Sequence, residues 1–120
     1  MKQIVFISKS RLSQNLLGLL IPLIPTKTTL KSYDSLAAAA TQNKAVNLLV
    51  IDANVLPVTE ITKALDFLQK PVWKKSKAVL IHSRHQQMDQ AALKSAGLTN
   101  FYVKPFLSEE LVNLIKENLS

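Results

Sequence analysis

The chain contains no cysteine, which excludes a disulfide framework, a thiolate metal site and a cysteine nucleophile and fits a reducing compartment. It also lacks an apolar run of membrane-spanning length. The longest greasy segment, Leu16 to Ile24, is broken by Pro22 and falls far short of a transmembrane helix. The opening stretch, Met1-Lys2-Gln3-Ile4-Val5-Phe6-Ile7-Ser8, meets polar residues too soon for a signal peptide. No Pro-, Gly- or Ser-rich linker divides the sequence and no internal repeat interrupts it. These absences predict one soluble, cytoplasmic domain over residues 1–120, with no membrane insertion.

Acids are scarce as well: eight Asp and Glu stand against fifteen Lys and Arg, a formal net charge of +7. Such a balance favours anionic partners, among them nucleic acid, lipid headgroups or an acidic protein surface. Yet only Lys70, Lys74, Lys75 and Lys77 form a cluster, and scattered lysines are usually solvated surface. A basic nucleic-acid-binding α/β domain therefore stays open as an alternative, but nucleic acid is not the expected partner.

What the sequence does have is alternation. With 120 residues, 48% of them hydrophobic, it can bury one compact core. Gln3–Ile7, Thr28–Tyr33, Val46–Ile51, Ala78–His82 and Asn100–Val103 have the composition of strands. Between them lie helical patterns. Leu12, Leu16, Leu17, Leu19 and Leu20 recur at helical spacing up to Pro22, and residues 35–42 hold Leu36 and four alanines. Thr59 and Glu60 can start a helix facing the core with Ile61, Leu65 and Leu68. Met88, Ala92 and Ala96 mark one face before Gly97, and Ser108 precedes a helix that buries Leu111, Leu114, Ile115 and Leu119. Five strands alternating with five helices predict a doubly wound (βα)5 sandwich, its parallel sheet covered on both faces. A barrel would need about twice the chain.

In such a sheet, reactive residues lie beyond the carboxyl ends of the strands. Asp52 closes the unbroken run Asn47-Leu48-Leu49-Val50-Ile51, Ser83 follows Lys77–His82, and Lys104 follows Tyr102-Val103. A carboxylate, a hydroxyl and an ammonium on one edge suit a phosphoryl group. The first strand, however, ends in Ser8-Lys9 and offers no second carboxylate.

Ala96-Gly97-Leu98-Thr99-Asn100-Phe101-Tyr102-Val103-Lys104-Pro105-Phe106, together with Val50-Ile51-Asp52-Ala53-Asn54 and Ile81-His82-Ser83, resembles the signature segments of bacterial two-component response regulator receiver domains. Order and spacing carry the resemblance over essentially the whole chain, and it implies a flavodoxin-like (βα)5 fold with strand order 2-1-3-4-5. It implies that Asp52 is the phosphoacceptor for a histidine kinase or small donor, with the Asn54 carbonyl helping to bind a divalent cation. It further implies that Lys104 pairs with the phosphoryl group, that Ser83 is the switching hydroxyl, and that Phe101 is the aromatic that follows phosphorylation state.

The departures matter equally. The family's acidic pair should fall at Ser8 and Lys9, neither of which can replace a hard carboxylate ligand. With Asp52, Lys9 and Lys104 the pocket carries roughly one net positive charge, so Mg²⁺ binding is expected to be weak or absent. Arg84 stands where the family usually has a small residue, and Pro57 lies one position later than is common. These changes predict a pseudo-receiver, not an enzyme, that signals by protein–protein contact. An active acceptor phosphorylated on Asp52 is the alternative.

The expected partners are a histidine kinase or a downstream signalling protein, with the domain a monomer or weak dimer. Gln86, Gln87, Gln90, Lys94, Tyr102, Asn113 and Lys116 are the candidate outer positions of the partner surface. His82 and His85 lack triad-like neighbours and are expected to be structural or surface residues. Trp73, set among lysines, is expected to fold onto the domain edge rather than stack on a base.

Overall fold

A computed structural model describes residues 2–24, 27–42, 44–53, 68–73, 76–83, 90–103 and 108–119. Five strands, β1 (Lys2–Ile7), β2 (Thr28–Tyr33), β3 (Leu48–Asp52), β4 (Lys77–His82) and β5 (Leu98–Val103), form one sheet. Every pairing is parallel, as the alternation predicts, and the order is β2-β1-β3-β4-β5, as the resemblance implies. The helices among the described residues are α1 (Arg11–Leu20), α2 (Leu36–Ala39), α3 (Gln90–Ala96) and α4 (Ser108–Leu119). The expected helix begun by Thr59 and Glu60, with Ile61 and Leu65, lies outside the described residues, as does the side chain of Ser108. Leu68 is described and buried.

The two faces follow from the period of two along a strand. Ile4 and Phe6 of β1 turn to one side with Leu48, Val50, Val79 and Ile81; there Leu17 and Leu20 of α1 and Leu111, Val112, Leu114 and Ile115 of α4 cover them. Val5 and Ile7 turn to the other side with Leu49, Ile51, Ala78 and Leu80, covered by Ala39, Leu68, Trp73 and Leu93. β3 is buried at all five positions, which is why its sequence shows no alternation. β2 is an edge strand and alternates.

Boundaries differ from the sequence expectation at identifiable places. β5 begins two residues earlier than Asn100, because Gly97 adopts φ +119° and turns the chain from α3 straight into the strand. A register irregularity between Ala78 and Val79 absorbs one residue of β5 there. α2 is short: Ser35 Oγ accepts from the Ala38 N–H at 3.0 Å, and beyond Ala39 the chain continues as tight turns, with Gln42 N–H donating to Ala39 O. β3 extends through Asp52 itself, which pairs with Ile81.

Candidate functional site

Register brings the first two site residues together. Ile7 pairs with Ile51, so the next residue of each strand, Ser8 and Asp52, stands side by side at the carboxyl edge. Both are fully buried, at 0% exposure. Ser8 Oγ donates to Asp52 Oδ2 at 3.0 Å. A buried carboxylate requires donors, and here a neutral hydroxyl supplies one.

Ser8 is itself held on every polar atom. Its N–H donates to Tyr33 O at 3.0 Å, tying β1 to the end of β2. Its carbonyl accepts from Gln14 Nε2 at 2.7 Å, and Gln14 also reaches Tyr33 O at 3.4 Å. Its Oγ accepts the Ser10 N–H at 3.1 Å while donating to Asp52. Ser10 in turn caps α1, its Oγ accepting from Ser13 N–H at 3.1 Å. One hydroxyl therefore couples the β1–α1 turn, the start of α1 and the carboxylate of β3. Sequence reasoning registered Ser8 only as a lost acid and missed Ser10 and Gln14. The signal was present in Ser8-Lys9-Ser10, a serine pair opening a helical pattern.

Lys9 is exposed and lines a cavity of about 400 Å³ with Arg11, Gln14, Tyr33 and Asp34, on the β2 side of the rim. Ser83 follows β4 half-buried. His82, just before it, is buried and within the strand, and its Nδ1–H donates to Ser83 O at 2.9 Å. It is a structural histidine, as expected. Phe101 is half-buried against the cluster of Ile51, Leu80 and Leu93, with Lys94 Nζ 5.8 Å from its ring centroid. Lys104, Pro105, Phe106, Asn54, Pro57, Arg84, His85, Gln86 and Gln87 lie outside the described residues, and so does the side chain of Gln90.

The expected partner surface divides. Lys94 stands over Phe101, on the Val5 and Ile7 side of the sheet. Asn113 and Lys116 are exposed on α4 and line a groove with Leu20 and Leu23. Tyr102 is half-buried, and its hydroxyl accepts from Asn118 Nδ2 at 2.9 Å and donates to Glu117 Oε2 at 3.5 Å. Asn118, 3% exposed, also donates to Leu114 O at 2.7 Å and accepts from Asn100 Nδ2 at 2.8 Å. This network joins β5 to α4 and went unnoticed in the sequence. Its signal is positional: Asn118 continues the Leu111-Leu114-Ile115 face, and a polar residue on a buried face requires partners.

Trp73 is 4% exposed within the core, so its ring offers no platform for a base. Lys74 and Lys75 lie outside the described residues.

Mg²⁺ demands several hard oxygens in near-octahedral array. Asp52 is the one buried acid among the described residues, and Ser8 engages one of its oxygens. No three His, Cys, Asp or Glu side chains among the described residues are grouped to hold a metal ion. The donor set seen does not fit the ion.

No protein-family model matches the chain, and no curated protein matches it in sequence. Solved structures do match, over nearly their whole length. A response regulator from Thermotoga maritima superposes with a TM-score of 0.75 at 14% identity, over 99% of this chain and 98% of that one. A chemotaxis response regulator of Vibrio cholerae gives 0.76 at 15% identity, over 99% of both chains. A response regulator receiver domain protein from Methanospirillum hungatei gives 0.74 at 18% identity, over 99% of this chain and 94% of that one.

Proposed function

We propose that this chain, which has the fold of response regulator receiver domains, is a receiver-type signalling domain of a two-component or phosphorelay system that acts by protein–protein contact, as a pseudo-receiver and not as an enzyme. One observation carries this reading: Asp52, at the acceptor position, is fully buried and accepts a hydrogen bond from a buried serine.

In-line phosphoryl transfer needs a carboxylate oxygen within near-attack distance of phosphorus, about 3–3.5 Å, and charge at the transferring group neutralised by a clamp or metal. Ser8 supplies neither a charge nor a second carboxylate. It stabilises one conformation of Asp52 and ties that conformation to α1 through Ser10 and Gln14. Useful Mg²⁺ binding is no part of this reading. The partners are a histidine kinase or a downstream signalling protein, and the setting is cytoplasmic. The burial of Trp73 weighs against nucleic acid, and among the described residues no helix is long and apolar enough to cross a membrane.

The test is incubation with acetyl phosphate or beryllofluoride, with and without Mg²⁺, followed by intact mass and by the NMR signals of Ser83 and Phe101. The expected result is an unmodified mass and unmoved signals in every condition. A stable adduct on Asp52 that shifts Phe101 makes the domain an active acceptor instead.

A further inference from the structure

Leu12, Leu16, Leu19 and Leu23 are 80%, 38%, 76% and 63% exposed. Apart from Val103 they are the exposed large hydrophobic residues of the described chain. Single exposed leucines are ordinary, but a contiguous set marks a contact surface. These four are spaced by four, three and four residues, which sets them along one line of α1 and the turn after it. Together they expose about as much as two and a half free leucine side chains. No residue between Leu12 and Leu23 is charged. A groove of about 350 Å³ continues the apolar surface toward α4, lined by Leu20, Leu23 and Val112 with Asn113, Glu109 and Lys116 at its margin.

We propose that this stripe is the interface of a homodimer in which two copies of α1 pack antiparallel about a two-fold axis. The spacing itself favours a second copy, because it is the same in both directions. An axis between Leu16 and Leu19 sets Leu12 against the partner's Leu23 and Leu16 against the partner's Leu19, the self-matching that an isologous interface requires. Asn15 and Gly18 flank the line; a Cβ built on Gly18 meets nothing within 4 Å. Short flanking groups let two helix axes approach to about 8–10 Å.

Each copy carries a net charge of +7, which opposes association, but that charge lies off the stripe, and the groove margin balances one acid with one base. A contact of this length buries on the order of 600 Å² per copy, short of the ~800 Å² per partner of a standard stable interface. The dimer is therefore weak, with a micromolar Kd, and salt tightens it by screening the repulsion of the two basic bodies. An assembly driven by opposite charges shows the reverse dependence. The proposal stands on α1 and its surroundings and is independent of what Asp52 does.

The experiment is sedimentation equilibrium of the whole chain from low to several hundred micromolar, at two salt concentrations, beside Leu19→Glu and Leu12→Gln. Both substitutions fall on exposed positions and keep helix-compatible side chains. The expected result is a parent dimer that tightens with salt, a Kd at least tenfold weaker in Leu19→Glu, a smaller loss in Leu12→Gln, and unchanged circular dichroism in both. A parent that stays monomeric at the highest concentration overturns the proposal. So does a dimer that both variants leave intact, or one that salt dissociates.

Discussion

At the carboxyl edge of the sheet, a serine and an aspartate are sealed from water and bonded to each other. On the outer face of α1, four leucines lie open to it. These two regions invert the rule that polar groups go outside and apolar ones inside, and they do so within four residues of each other in sequence, at Ser8 and Leu12. By contrast, α4 buries its apolar line, Leu111, Leu114 and Ile115, in the cluster formed with β1, β3 and β4. Departures of this kind cost stability unless something offsets them. At the rim the offset is internal in part, since the Ser8 hydroxyl donates to Asp52. On α1, in the proposed dimer, a second copy supplies it.

The contrast is sharpest within α1, where leucines two residues apart have opposite environments. Leu17 is 1% exposed and Leu19 is 76% exposed. Leu17→Ala removes packing against both β1 and α4 and should lower unfolding stability by about 2–5 kcal/mol in a urea titration. Ser8→Ala comes next. It leaves a buried carboxylate short of a donor and uncouples the β1–α1 turn, with an expected loss of about 1–3 kcal/mol. Leu19→Ala is the smallest: in dilute solution the same titration should move by no more than about 0.5 kcal/mol. If Leu19→Ala costs as much as Leu17→Ala, the outer face of α1 is not open, and the comparison fails.

The sequence made the fold legible because its signals agreed. Unbroken apolar runs at Leu48–Ile51 and Val79–Ile81 require burial on both faces, and helical spacing between strands allows only crossovers. The position of Asp52 was legible too, since the end of a buried strand is a defined place. The state of that aspartate was not. Whether Ser8 is a mere gap or a bonded partner depends on strand register, and register is a long-range property that no local pattern states. The same holds for Asn118, whose three contacts join residues from Asn100 to Leu114. The five leucines of α1 recurred at helical spacing, but which of them the sheet would cover depended on how the helix was rotated against β1 and α4.

Ser8 stands beside Asp52 where the resemblance places a metal-binding carboxylate, and its hydroxyl donates to Asp52 instead. Titration with Mg²⁺, followed by the amide signals of Asp52, Ala53 and Ser83, tests this most directly when the parent is compared with Ser8→Asp combined with Lys9→Asp. The account predicts no saturable shift in the parent through millimolar Mg²⁺, and a saturable one in the double variant, where two new carboxylates join Asp52. Saturable binding in the parent at or below millimolar Mg²⁺ contradicts it.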